Sequence, residues 1–143
     1  MARRPRLRIP GVPQHVVQRG NNRQPTFYAE RDYRLYLDLL RDSGIKHGCR
    51  LHHYVLMTIH VHLLVTPLKA DSLSATMQDV GRSYVQYVNY TYARTGTLWE
   101  GRCKTNLIDA QRYFLTCCRY IEMNPVRAGM VRMPQDYRWS SYR

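Results

Sequence analysis

Acidic side chains are scarce in this chain. Ten Asp and Glu stand against 22 Lys and Arg over 143 residues, a formal charge of +12 and a pI near 10. That balance favours a polyanionic partner, nucleic acid ahead of an acidic membrane surface. Long apolar runs are missing too. None approaches the roughly 20 residues that a membrane-crossing helix needs, so a soluble protein with no membrane partner is expected. The four cysteines, Cys49, Cys103, Cys117 and Cys118, show no CxxC spacing, and no secretory leader is read ahead of them. Reduced thiols in the cytoplasm are the corresponding expectation. Internal repeats are absent, and a chain of this length suits one domain with its own core.

What is present starts with a basic end. "MARRPRLRIP", residues 1–10, holds Arg3, Arg4 and Arg6 among its arginines, with two prolines and no periodicity. It reads as a flexible arm, either touching phosphates or simply trailing, ahead of a domain spanning 11–143. "QHVVQRGNN" reads as a first strand closed by Gly20, Asn21 and Asn22. From Glu30, Tyr33, Tyr36, Leu37, Leu40 and Ile45 keep helical spacing up to "KHG". Leu51–Met57 and His60–Thr66 suggest a hairpin, although Thr58-Ile59 is weak turn chemistry. A second helix, capped by Asp71 or Ser72, carries the stripe Leu73, Met77, Val80, Tyr84 and Val88. Lys104–Ile108 fits a fourth strand, and Asp109 can cap a helix with Phe114, Cys117, Cys118 and Ile121 on one side. The order β, α, β, β, α, β, helix predicts an α+β, ferredoxin-like (split βαβ) antiparallel sheet, with helices on one face and a C-terminal helix near the other.

Within "MTIHVHLLVTP", Met57 to Pro67, strand alternation sends His60 and His62 to one face while Val61, Leu63 and Val65 take the other. Two imidazoles so spaced can converge on one divalent ion. Two half-buried sheet histidines bonded to backbone or water fit the pattern equally, and His52 and His53 show that histidines are common in this hairpin. In "CCRYIEMNPVRAG", Tyr120 and Asn124 are four residues apart and share a helical face. Each has a plainer reading: Tyr120 is one of 12 tyrosines, and Asn124 before Pro125 can cap a helix "PVRAGMV". A tyrosine hydroxyl beside two imidazoles and an amide nonetheless has a definite chemistry. It can attack a phosphodiester while a cation, left unneutralised by such ligands, offsets the phosphate charge.

Four blocks, "HVVQRGNNRQPTF", "YVLMTIHVHLLVTP", "GRSYVQYVNYTYARTGTLWEGR" and "YIEMNPVRAGMV", together resemble the HUH single-strand nucleases, specifically the single-tyrosine transposases of insertion sequences and their REP-associated relatives. The resemblance covers nearly the whole chain. It implies a metal-dependent nuclease and strand transferase. Tyr120 would be the nucleophile that forms a 5′-phosphotyrosine near a DNA hairpin, with His60, His62 and Asn124 binding Mg²⁺ or Mn²⁺. One departure is visible: the family usually has Pro-Asn where this chain has Thr58-Ile59.

Around that centre, Arg19, Asn21, Arg23, Gln111, Arg112, Arg119 and Arg127 are candidate contacts to single-stranded or hairpin DNA. Tyr87, Tyr90 and Tyr92 are possible stacking surfaces, and Glu100 and Glu122 possible extra ligands or proton acceptors. A bacterial cytoplasmic, nucleoid-associated location follows from this reading, and monomer and homodimer both remain open. The rival is a nucleic-acid-binding module that keeps the fold without the chemistry.

Overall fold

The structure, a computed structural model, describes residues 9–108 and 111–142. Arg3, Arg4 and Arg6 of the basic arm and the cap residue Asp109 lie outside the described residues, as does the side chain of Gln111. The elements in chain order are β1 (Gln14–Arg19), α1 (Glu30–His47), β2 (Cys49–Leu56), β3 (His60–Pro67), α2 (Ser72–Thr91), β4 (Lys104–Leu107), α3 (Gln111–Glu122) and α4 (Asn124–Arg127). The strands form one antiparallel sheet in the order β2-β3-β1-β4. This is the split βαβ arrangement expected from the sequence: β3 lies between β1 and β2, which α1 connects.

Alternation along β3 divides the interior in two. Val61, Leu63 and Val65 face α1 and α2, where they join Val16, Tyr36, Leu40 and the α2 stripe Leu73, Met77, Val80, Tyr84 and Val88. Leu64 faces the other way, against Val55, Met57, Cys117, Cys118 and Ile121. The second sheet face is therefore partly covered by α3. Leu64 and Ile121 are fully buried there, and each such side chain favours the docked state by roughly 1.5–3 kcal/mol.

Local chemistry sets the element ends. α1 stops at Gly48, which adopts φ 76° and donates to the carbonyl of Gly44, a left-handed cap that a residue with a Cβ would resist. Its start is organised by Asp32, whose carboxylate accepts from the backbone N–H groups of Tyr28 and Ala29 at 2.7 and 2.9 Å. The hydroxyls of Tyr87 and Tyr92 also donate to Asp32. Burial alone would raise the Asp32 pKa, yet these four donors hold it below the ordinary value. Tyr87 and Tyr92 are half-buried with their hydroxyls bound to Asp32, whereas Tyr90 is 91% exposed.

The hairpin turn at Thr58-Ile59 draws its support from outside the hairpin. The carbonyl of Ile59 accepts from Gly20 N–H at 2.7 Å, and that of Thr58 from Thr26 N–H at 2.8 Å. Gly20 must lack a side chain: a Cβ there would lie 2.3 Å from the Gln24 carbonyl oxygen. β2 also begins two residues earlier than its apolar pattern suggests, with a register shift between Leu51 and His53. Beyond β2, the C-terminal tail runs along the sheet edge. Leu56 N–H donates to the Trp139 carbonyl and Ser141 N–H to the Tyr54 carbonyl, and the Tyr137 hydroxyl donates to the Leu56 carbonyl. This covers a strand edge that would otherwise be open.

The reading of Asn124 as an N-cap is corrected. Met123 occupies the cap position in a helical conformation, and Asn124 is the first residue of α4. Only four residues, Asn124–Arg127, form that helix instead of the longer "PVRAGMV". Gly129, at φ 73°, turns the chain away.

Candidate active site

Strand pairing builds the floor. β1 and β3 are the two central strands, with Arg19 opposite His60, Val17 opposite His62 and His15 opposite Leu64. Directly paired residues share a face, so His15, Val17 and Arg19 lie beside His60 and His62 on the α3 side. The two imidazole rings of the HxH pair are 4.9 Å apart between centroids and nearly perpendicular, at 82°. His62 is 5% exposed.

α3 supplies the roof. Its apolar residues Cys117, Cys118 and Ile121 seat it on the sheet, which turns the half-exposed Tyr120 edge-on toward two imidazoles. The phenol ring is 5.8 Å from His62 and 5.9 Å from His15. Because Met123 keeps a helical conformation between α3 and α4, Asn124 stays in phase with Tyr120. Its side chain bonds to His60. The structure thus gathers Tyr120, His60, His62 and Asn124 within one chain.

Burial and positive neighbours leave these imidazoles uncharged. For His62, desolvation leads, followed by His60, His15, Arg19 and Arg127, and its pKa falls to about 3. Burial and Arg19 lower that of His60, against an opposing contribution from Asn124. Burial also lowers that of His15. Neutral imidazoles keep a lone pair for a cation. Among the described residues no three His, Cys, Asp or Glu side chains cluster as a metal cage. The groups that could hold a cation here are the imidazoles of His60 and His62 and the Asn124 amide oxygen. Among the described residues the buried Nδ1 of His60 has no hydrogen-bond partner, which a ligand role for this ring would fit.

The arginines divide by position. The Arg127 guanidinium carbon lies 4.3 Å from the centroid of the Tyr120 ring, and its Nη2 donates to the Tyr120 carbonyl. Arg19 and Arg23 line a cavity of about 350 Å³ with Arg102, Lys104, Glu100 and His60, a basic pocket beside the histidine pair. Asn21, at the rim of the same turn, donates to Thr97 at 3.2 Å. Arg112 is at the opposite end of α3, bonded to the Tyr113 hydroxyl and 4.8 Å over that ring. Arg119 is exposed on α3. A second, more apolar cleft of about 530 Å³ opens between His15, Val17, Tyr113, Thr116 and Tyr120.

Glu122 points elsewhere. Its carboxylate pairs with His53 Nδ1 on β2 at 2.8 Å, tying the end of α3 to the sheet, while Glu100 does face the basic pocket. The residue that spacing arguments miss is His15. Its only signal in the sequence is alternation with Val17 and Arg19, and the register that brings it to His62 is a tertiary fact.

A ferredoxin-like sheet whose HxH strand lies beneath a tyrosine-bearing helix has the architecture of a single-tyrosine DNA transposase. The chain belongs to the IS200-like transposase family, whose model matches residues 10–124. No curated protein matches it. Among solved structures, it is similar to a REP-associated tyrosine transposase bound to a REP hairpin: TM-score 0.82, 17% identity, over 99% of this chain and 83% of that one. A candidate transposase from Deinococcus radiodurans R1 is similar with a TM-score of 0.56 and 21% identity, over 85% of this chain and 96% of that one. At these identities the structural likeness is one of fold. Among the described residues, no helix is long and apolar enough to cross a membrane.

Proposed function

We propose that this transposase is a metal-dependent single-stranded DNA endonuclease and strand transferase that cuts near hairpins. The observation that carries the reading is the Tyr120 ring, 5.8 Å from that of His62 in the same chain. Tyr120 Oη attacks the scissile phosphorus as its phenolic proton is lost. The bond from phosphorus to the 3′ oxygen breaks, leaving a 5′-phosphotyrosine, and the departing 3′ oxygen takes up a proton. His60, His62 and Asn124 would hold Mg²⁺ or Mn²⁺. Such a cation, when bound, offsets the charge of the phosphoryl oxygens.

The chain's own side chains supply the rest. Arg127 fixes the phenol from behind, while Arg19, Arg23 and Lys104 hold the strand by its phosphates. Asn21, Arg112 and Arg119 belong to the outer DNA surface in this reading, as do Arg3, Arg4 and Arg6 of the arm. The likeness to a structure holding a REP hairpin supports hairpin DNA as substrate. Since Tyr120 meets histidines of its own chain, one copy carries a full set of groups. The setting we infer is the bacterial cytoplasm, on the nucleoid.

The test incubates the protein with end-labelled single-stranded hairpin DNA and Mn²⁺ and looks for a denaturation-resistant adduct. Tyr120→Phe should abolish the adduct and keep noncovalent binding. Equal behaviour of both proteins over a panel of hairpins would leave the binding-module reading instead.

A further inference from the structure

His15 belongs to no part of the chemistry assigned so far, yet it touches two members of the site. From its place opposite Leu64 on β1 it is one diagonal step from His62, close enough for ring contact across neighbouring strands. Its Nε2 lies 3.0 Å from Nδ1 of His62. The rings lie side by side and nearly coplanar, with centroids 5.2 Å apart and 22° between their planes, and Tyr120 meets both edge-on.

Two ring nitrogens at that separation share one proton, and its position decides what His62 can do. With the proton on His15 Nε2, His62 accepts through Nδ1, and its neutral ring then carries hydrogen on Nε2. No lone pair of His62 is left for a cation. With the proton on His62 Nδ1, donated to His15, the Nε2 lone pair is free. Imidazole side chains in water favour hydrogen on Nε2, so the second arrangement needs a fixed acceptor. We propose that His15 is the positioning residue that holds His62 in the Nδ1–H tautomer and in its ring orientation, leaving Nε2 as the donor atom to the metal. The inference rests on the metal-dependent reading above.

Several features make His15 suited to this. β1 and β3 are both paired on either side within the sheet, so their relative position is rigid. The contact between the two nearly coplanar rings, nitrogen to nitrogen, fixes the rotation of the His62 ring. A metal-bound imidazole commonly has such a partner on its other nitrogen, and loss of the partner weakens metal binding by about 10- to 100-fold.

The test has two readouts on the full chain, neither of them DNA cleavage. Long-range ¹H–¹⁵N spectra of histidine-labelled, metal-free protein report the tautomer of His62. Mn²⁺ titration followed by electron paramagnetic resonance reports affinity. Wild type should show His62 with hydrogen on Nδ1. His15→Phe, which keeps an aromatic ring but no acceptor, should move that hydrogen to Nε2 and weaken Mn²⁺ binding about 10- to 100-fold. His15→Gln, which returns an acceptor oxygen, should recover most of both signals. Hydrogen on Nε2 of His62 in wild type overturns the proposal, as does an unchanged tautomer and affinity in His15→Phe. A wild-type protein with the Nδ1–H tautomer but no Mn²⁺ binding would overturn the metal reading and leave the orienting role standing.

Discussion

Arg127 holds Tyr120 at two points: its guanidinium lies 4.3 Å over the phenol ring, and the same group donates a hydrogen bond to the Tyr120 carbonyl. The carbonyl belongs to the last turn of α3, next to the Met123 junction, where helix ends leave acceptors without intrahelical donors. Arg127 therefore closes the helix end and fixes the phenol together. Its positive charge also reaches His62, which places it near any phosphate that Tyr120 attacks.

Replacing Arg127 tests that double hold. Arg127→Met should slow phosphotyrosine formation at saturating DNA by tenfold or more, consistent with a contact of about 0.5–2 kcal/mol plus a lost hydrogen bond. The DNA concentration for half-maximal rate should move much less. Arg127→Lys should recover part of the rate, since it keeps charge but not the planar fork. A change confined to DNA affinity would make Arg127 a phosphate contact only. Single-turnover kinetics separate the two.

The histidine pair gives a second prediction. His60→Ala with His62→Ala should eliminate both cleavage and its dependence on Mn²⁺ or Mg²⁺. Undiminished cutting would place the ion elsewhere. Hairpin binding, measured without metal by fluorescence anisotropy, should survive because the basic residues remain.

Stability should fall on the acid side. His62 titrates near 3 in the folded protein against about 6.5 in an unfolded chain. Between those values the unfolded state binds the extra proton. Folding stability is therefore fully present above about pH 6.5 and declines as pH falls toward 3. The loss from this buried group is of order a few kcal/mol. Urea melts at pH 7, 5.5 and 4.5 should show it, and His62→Gln should flatten the dependence. An identical slope in the variant would assign the acid sensitivity to other groups.

The pair between His53 and Glu122 anchors the end of α3 and offers a fourth prediction. With side-chain exposures of 30% and 14% it is only partly screened, so Glu122→Gln should cost about 1 kcal/mol. The adduct yield should drop while hairpin affinity holds, because α3 carries the phenol and contributes no residue to the basic pocket. Chemical denaturation and gel assays read the two effects. Unaltered yield would show that Ile121 and its apolar neighbours seat the helix unaided.

DNA binding should weaken steeply with salt, since phosphate contacts release counterions. Arg23→Ala should lower the slope of log affinity against log salt by about one, with the same loss on unrelated hairpin sequences. An unchanged slope would remove the pocket of Arg19, Arg23 and Lys104 from the DNA path.

The order of elements, the α2 stripe, the left-handed stop at Gly48 and the common face of His60 and His62 follow from spacing along the chain. Periods of two and near 3.6 residues are local properties, and so are turn-forming residues. Family membership was legible for a related reason: four distinct blocks of residue types stand in one order along the chain. Other facts depended on where distant segments meet. The Thr58-Ile59 turn is held by Gly20 and Thr26, the hydroxyls of Tyr87 and Tyr92 bond Asp32, and Glu122 reaches His53. Strand register brings His15 to His62, and the packing of Cys117, Cys118 and Ile121 decides that Tyr120 faces that pair. Such contacts join residues tens of positions apart, and their geometry is set by how sheet and helices bury apolar surface together, a quantity that no local window of sequence contains.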